Sequence, residues 1–282
     1  MPFGAYYVSN KTLELSDFVI CIILSLGIVG PLITVGSYTD DLGKIGVIVD
    51  EIAGILEQPE LKRPDKSKDV PKDNSIILEN VRFGYHDKEI LHGVTMELKA
   101  GTVNAIVGPS GSGKSTIAKL IASLWDVNSG SIKIGGIDVK EMALADFNRK
   151  IAYVAQDNYL FSGTIKENIR YGKLDATDEE VIAAAKAAHA HHFIETLPGG
   201  YDFVLNEEAT NVSQGQRQLL TIARSILADN PILILDEATS SVDTRTEAMI
   251  DQALDKLREG RTSFVIAHRL STIRNADVIL VM

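Results

Sequence analysis

The chain has 282 residues, a formal net charge of −10 and one cysteine. This length allows one large domain with a smaller appendage. The acidic balance disfavours a general nucleic-acid-binding protein, and the single Cys21 excludes an intrachain disulfide.

The first predicted element is an apolar run over residues 18–35, which contains no charged side chain. As a helix this run is roughly 27 Å long, close to the thickness of a bilayer's hydrocarbon core. Gly27, Gly30 and Pro31 would weaken a soluble helix but are tolerated in membrane spans. Basic residues gather after the run, so its C-terminal side is predicted to face the cytoplasm. We interpret the run as a membrane span; a buried core helix is the alternative at this borderline length.

The apolar spacing stays near-helical to residue 56, which predicts that the helix continues beyond the membrane. Residues 57–75 are polar and contain three prolines, as in a linker. From residue 76 onward, short β-branched runs alternate with helix-period segments, which predicts an α/β fold. The predicted strands cover residues 76–83, 103–107, 131–134, 151–154, 232–236, 262–267 and 278–282. Strand signals fade over residues 157–228, where we predict a helical subdomain.

Residues 108–116 read GPSGSGKST and match the phosphate-loop pattern G-x-x-x-x-G-K-[ST] at every fixed position. The match lies between a predicted strand and a predicted helix over residues 115–124. Its glycines allow a tight turn whose N–H groups point at one anion, and the helix dipole adds to that field. Lys114 would bind the β- and γ-phosphates, and the Ser115 hydroxyl would ligate Mg²⁺. The predicted loop comprises Gly108, Pro109, Ser110, Gly111, Ser112, Gly113, Lys114, Ser115 and Thr116.

A second acidic motif completes the predicted nucleotide chemistry. Residues 231–237 read PILILDE, an apolar run typical of a strand buried on both faces, followed by two carboxylates. Asp236 is placed to hold Mg²⁺ through water, and Glu237 to polarise an attacking water. An acidic strand-end turn is the structural alternative, and the phosphate loop favours the functional interpretation.

Residues 211–224, NVSQGQRQLLTIAR, resemble the LSGGQ helix of ATP-binding cassette (ABC) proteins, and further landmarks of that family follow in order. Tyr85 resembles the aromatic residue that stacks on adenine, and Gln156 the Q-loop glutamine that contacts Mg²⁺ or water. Asp243, in SSVD, resembles the D-loop aspartate, and His268 the switch histidine that senses the γ-phosphate.

The resemblance implies an α/β P-loop cassette with a helical subdomain, which binds ATP and Mg²⁺ and hydrolyses ATP. Its catalytic residues would be Glu237, His268, Gln156 and Lys114, and Ser115, Gln156 and Asp236 would hold Mg²⁺. The family pairs two cassettes head to tail, so each ATP would also contact the LSGGQ-like segment of the partner cassette, called here the signature segment. In this chain that segment is Ser213, Gln214, Gly215 and Gln216.

Within the family, residues 157–169, residues 197–202 and Glu207 resemble exporters. The resemblance implies that residues 1–56 are the end of a membrane domain, that residues 57–75 are a linker and that residues 76–282 are the nucleotide-binding domain. We therefore expect an exporter subunit in the cell membrane, with its cassette in the cytoplasm. Its expected partners are a second half-transporter, membrane lipid and an unidentified exported substrate, and not nucleic acid. Since such halves carry six membrane helices and a longer C-terminus, we expect that this chain alone transports nothing.

Two questions stay open in the sequence. The signature segment reads VSQGQ, with Gln214 where the family has glycine, so both a homodimer and a heterodimer of different halves are possible. A non-transporting ATP-binding or regulatory fragment is the alternative function.

Overall fold

The computed structural model describes residues 2–57, 60–85, 88–155, 158–236, 243–267 and 273–282. It divides into two compact units, Met1–Glu60 and Leu61–Met282.

The N-terminal unit consists of two helices, α1 (Pro2–Ser9) and α2 (Leu15–Leu56). The α2 helix contains Pro31, which has no N–H to donate to the preceding turn. Large apolar side chains cover α2 on every side; Ile23 and Leu32, for example, are 63% and 65% exposed. By length and composition it could cross a membrane, and none of its most apolar stretch is buried. It extends the predicted 18–35 run in both directions.

The second unit begins with an antiparallel sheet in the order β2-β1-β4-β5. Its strands are β1 (Ile76–Tyr85), β2 (Lys88–Leu98), β4 (Ser129–Ile134) and β5 (Ile137–Asp138). The sequence prediction missed β2. Most of this strand is exposed or half-buried, so its apolar alternation is weak, and Gly93 interrupts it with a φ of 97°.

The central sheet is parallel and has the order β11-β3-β10-β9-β6. Its strands are β3 (Val103–Val107), β6 (Ile151–Val154), β9 (Ile232–Asp236), β10 (Thr262–Ile266) and β11 (Val278–Val281). The predicted bounds of β3, β6 and β9 agree with the structure. Because the carboxyl ends of parallel strands share one edge, Val107 and Asp236 end their strands on the same side of the sheet.

The helices of this unit are α3 (Lys114–Ile121), α4 (Leu144–Asn148), α5 (Ile165–Arg170), α6 (Asp178–Ala187), α7 (His191–Thr196), α8 (Gln214–Ala228) and α9 (Thr244–Arg258). Four of them, α5 to α8, lie in the predicted helical region. That region also contains two-residue strands, β7 (Gly163–Thr164) and β8 (Val204–Leu205), which pair with each other. The insert is therefore mainly but not purely helical.

Strand β9 is buried on both faces of the parallel sheet, as its apolar run predicts. Leu233 and Leu235 point into a core shared with α5, α6, α8 and α9. Ile232 and Ile234 point into the opposite core, together with Ile117 of α3 and the antiparallel sheet. The strand that ends in Asp236 is thus fixed by packing from both sides.

Candidate functional site

The candidate site begins at the turn that joins β3 to α3. Gly111 and Gly113 have φ values of 81° and 99°, in the left-handed region that favours glycine. Gly113 is the N-cap of α3, and no side chain caps the helix there. The N–H groups of the first turn are therefore available to an anion, in the field of the helix dipole.

The Lys114 ammonium group lies over this turn. Its Nζ donates hydrogen bonds to the carbonyl oxygens of Gly108 at 2.9 Å and Pro109 at 2.8 Å. A longer contact of 3.5 Å reaches the Ser112 hydroxyl oxygen. The loop's own carbonyls thus hold one positive charge beside the N-terminus of α3.

Two glycines of the turn are fixed by close packing. A Cβ atom on Gly113 would lie 2.8 Å from Leu91 and 3.3 Å from Ile90, both on β2. A Cβ atom on Gly108 would lie 2.6 Å from the carbonyl oxygen of Met282. The loop therefore packs closely against its neighbours at both ends, and only glycine fits at these two positions.

A cavity of about 500 Å³ opens above the turn. Asp236, at the end of β9, and the phosphate loop both line this cavity, as the parallel topology predicts. The lining residues are Ile90, Gly108, Ser110, Gly111, Gly113, Lys114, Ser115, Thr116 and Asp236.

The oxygen ligands of this cavity suit Mg²⁺. The Ser115 hydroxyl and the Asp236 carboxylate both line it, and hard oxygen donors are what this ion prefers. Among the described residues, no group of three or more His, Cys, Asp and Glu side chains could hold a metal ion. A magnesium ion here would need further oxygens from water or from phosphate, which is its usual arrangement with nucleotides.

Tyr153 is a neighbour of the site that sequence reasoning missed. It lies on β6, where it pairs with Ile234 of β9. Burial, together with the negative charge of Asp236, raises the pKa of Tyr153 to about 12. The shift shows that the phenol lies within the electrostatic field of the acidic strand end. No motif identified it, because only the pairing of β6 with β9 brings it there.

Tyr85 closes β1 and is half-buried. Its ring makes edge-to-face contacts with Phe83, at a centroid distance of 5.0 Å, and with Trp125, at 5.4 Å. Trp125 follows α3 and was not among the predicted site residues. Tyr85 pairs with Lys88 on β2, two residues before Ile90, which lines the cavity.

The signature segment does not line this cavity. Ser213 is the N-cap of α8, and its hydroxyl accepts a hydrogen bond from the N–H of Gln216 at 3.2 Å. The Gln216 side chain accepts from the N–H of Ser213 at 2.9 Å, which completes a capping box. Gln214 is exposed, whereas Gly215 is buried.

Asp243 has a role that its motif did not suggest. It is the N-cap of α9, and its carboxylate accepts a hydrogen bond from the N–H of Thr246 at 3.0 Å. This bond lowers the pKa of Asp243 below its ordinary value. Three predicted residues, Gln156, Glu237 and His268, lie outside the described residues.

The strand, glycine-rich turn and helix, with an acidic strand end beside them, define a P-loop nucleotide-binding domain. The family model described as "ABC transporter" matches residues 91–240. A relative named "Uncharacterized ABC transporter ATP-binding protein YfiC", from Bacillus subtilis, is 47% identical over 83% of the chain and 39% of its own length.

Two further comparisons agree. A protein named "ATP-dependent lipid A-core flippase", from Syntrophus aciditrophicus, is 45% identical over 79% of the chain and 37% of its own length. The solved structure described as a bacterial Atm1-family ABC exporter with ATP bound is 38% identical, with a TM-score of 0.75 over 99% of the chain and 50% of its own. The chain belongs to the ABC transporter family, which confirms the predicted family and fold class. It spans less than half the length of the curated relatives cited here.

Proposed function

We propose that the chain binds and hydrolyses ATP as the nucleotide-binding part of an ABC exporter. The observation that carries this proposal is the cavity that joins the phosphate loop to Asp236. Its free N–H groups, fixed ammonium and oxygen ligands match the charges of a magnesium–triphosphate.

Each part of the nucleotide has a proposed partner. The N–H groups of residues 108–116 and the Lys114 ammonium bind the phosphates, and the Tyr85 ring stacks on adenine. Ser115, Asp236 and Gln156 would hold Mg²⁺, which would neutralise negative charge on the phosphates.

Hydrolysis is assigned to three residues beyond the loop. Glu237 directly follows Asp236 in the chain and would polarise the attacking water. Gln156 would orient that water, and His268 would contact the γ-phosphate. These roles rest on the family resemblance, since the three positions lie outside the described residues.

A second half-transporter is the proposed partner. Ser213, Gln214, Gly215 and Gln216 stand at the N-terminus of α8, outside the cavity of their own chain. In a head-to-tail pair they would contact the partner's ATP, and Asp243 would lie near the same junction. Homodimer and heterodimer remain alternatives because of Gln214.

The proposed domain organisation follows the family. Residues 1–56 would form the end of a membrane domain in the cell membrane, with α2 as the span. Residues 57–75 would link it to a cytoplasmic nucleotide-binding domain over 76–282, with its helical subdomain over 157–228. The relatives named as lipid A-core flippases make a lipid one candidate class of substrate.

Glu237→Gln tests this function in the longer transporter that contains this chain. The variant should bind MgATP with wild-type affinity, lose nearly all hydrolysis and accumulate as an ATP-bound dimer. Radiolabelled ATP retained after gel filtration in detergent measures the trapped state. Wild-type turnover in the variant would contradict the role of Glu237. A transporter that binds ATP but hydrolyses none, before any substitution, would favour a regulatory nucleotide-binding protein.

A further inference from the structure

Several contacts anchor the segment before β1 to the cassette. Ser67 bonds Asp146 and Lys72 bonds Gly135, whereas Arg63 reaches the end of α3. Arg63 lies in the region that composition identifies as a linker, yet its side chain is only 10% exposed. Its guanidinium donates to both carboxylate oxygens of Asp126, from Nη2 at 2.7 Å and from Nη1 at 3.3 Å. Nη2 also donates to the Ser123 hydroxyl at 2.7 Å. Such two-pronged charged contacts are among the stronger hydrogen bonds in proteins.

The anchored residues form the turn at the end of α3. The N–H groups of Ser123 and Leu124 close that helix on the carbonyls of Leu120 and Lys119. Ser123 has a φ of 54°, a left-handed conformation that is costly for a residue with a side chain. Arg63 therefore stabilises a strained turn through hydrogen bonds to the Ser123 hydroxyl and to the Asp126 carboxylate.

Trp125 lies between the two anchored positions, Ser123 and Asp126. Its ring meets the Tyr85 ring edge to face, with an interplanar angle of 87°. The same segment is bonded to β1 through Asn128, whose side chain accepts from the N–H of Gly84 at 2.9 Å. The backbone N–H of Asn128 donates a hydrogen bond to the Arg82 carbonyl oxygen at 3.0 Å. A continuous series of contacts thus runs from Arg63 to the aromatic residue proposed to bind adenine.

We propose that Arg63 is a positioning residue for the adenine side of the nucleotide site. By fixing the Ser123–Asp126 turn it holds Trp125 against Tyr85, and so sets the orientation of the Tyr85 ring. This inference rests on the proposed function, because it takes Tyr85 as the adenine contact. Edge-to-face aromatic pairs are sensitive to geometry, so a loosened Trp125 should weaken base stacking.

The test separates base binding from phosphate binding. Arg63→Gln in the full chain, purified in detergent, should raise the Kd for ATP roughly three- to tenfold. The Kd for inorganic tripolyphosphate, which has no base, should stay unchanged because the phosphate loop does not contact Arg63. Calorimetric titration of both ligands gives the two constants.

The chain supplies its own optical reporter. Trp125 is the sole tryptophan, so its fluorescence reports this turn directly. Trp125 is 49% exposed in the structure, so in Arg63→Gln without nucleotide its emission intensity should change and its anisotropy should fall as the ring loses its fixed contact with Tyr85. Ser123→Ala, which removes one hydrogen bond, should change emission and ATP affinity in the same direction by a smaller amount.

A matched control is available at Arg261. Its guanidinium is similarly buried, at 13% exposure, and bonds Asp229 at the same 2.7 Å distance. Arg261 directly precedes β10, at the edge of the sheet opposite the phosphate loop. Arg261→Gln should leave ATP affinity and Trp125 emission unchanged.

Three results would overturn the inference. The first is an unchanged Kd for ATP in Arg63→Gln, and the second is an equal loss of ATP and tripolyphosphate binding, which would indicate displacement of the whole α3 helix. The third is a similar effect in Arg261→Gln. A wild-type chain that binds neither ligand would instead contradict the proposed function itself, and this inference with it.

Discussion

The phosphate loop and the signature segment lie at the N-termini of α3 and α8, and these two helix N-termini are capped differently. At α3 the N-cap is Gly113, which offers no side chain, so the first-turn N–H groups remain for a ligand. At α8 the N-cap Ser213 and Gln216 bond each other's N–H groups. One helix end is open to an anion, and the other is already capped.

This difference indicates that one chain alone can form the phosphate-loop part of the proposed nucleotide site. The phosphate loop has fixed glycines, a positioned ammonium and an acidic neighbour in one cavity. The signature segment is a complete capping motif that uses the N–H groups of Ser213 and Gln216, so an approaching phosphate would have to use the N–H groups of Gln214 and Gly215 between them. Four substitutions test this contrast.

Gly113→Ala should be the most damaging. A left-handed φ costs a residue with a Cβ roughly 1–2 kcal/mol, and the clash with Leu91 at 2.8 Å adds about 1–3 kcal/mol of overpacking. Denaturant unfolding should show both terms, together with loss of ATP binding. Gly136→Ala is the control, since its φ is 89° but an added Cβ would meet no atom within 4 Å. Equal losses at the two glycines would contradict the role of packing at the loop.

Lys114→Ala should remove a charged phosphate contact worth about 1.5–3 kcal/mol. The Kd for ATP should therefore rise roughly ten- to a hundredfold, with little change in thermal stability. Lys119→Ala, in the last turn of the same helix, keeps the loop intact and should bind ATP normally. If both variants bind ATP like the wild type, the triphosphate is held elsewhere.

Ser213→Ala should act on folding and not on ATP binding by the isolated chain. Loss of an N-cap side chain costs about 1 kcal/mol of unfolding free energy. Thr177→Ala removes an equivalent capping box at α6 and should cost a similar amount. Only Ser213→Ala should also slow hydrolysis in the assembled transporter. If the two variants hydrolyse ATP equally well there, Ser213 has only its structural role.

The contrast also shows what a sequence can predict. The phosphate loop is a local pattern between two apolar elements, so the order of residues alone predicts a binding site at Lys114 and Ser115. The four apolar residues before Asp236 likewise predict strand β9, because a continuous apolar run of this length is typical of a strand buried on both faces.

Other features depend on residues far apart in the chain. β2 is half-exposed and interrupted by Gly93, so its pattern alone does not predict a strand. The two-residue strands β7 and β8 exist only because they pair with each other across about forty residues of chain. Arg63 and Asp126 are separated by 63 positions, so the polar composition around Arg63 predicted a linker and concealed its buried contact.

Gln214→Gly has the smallest expected effect and bears most directly on the contrast. The change introduces the family's glycine in the first turn of α8, and its backbone freedom should lower the unfolding free energy by about 0.5 kcal/mol. ATP affinity of the isolated chain should not change, because Gln214 does not line its cavity. If the segment contacts a partner's phosphate as proposed, hydrolysis by the assembled transporter at saturating ATP should rise, since no exposed side chain would separate the backbone from that phosphate. An unchanged rate would mean that the capped segment tolerates Gln214 without close backbone approach, and a slower rate would mean that the Gln214 side chain itself contributes to hydrolysis.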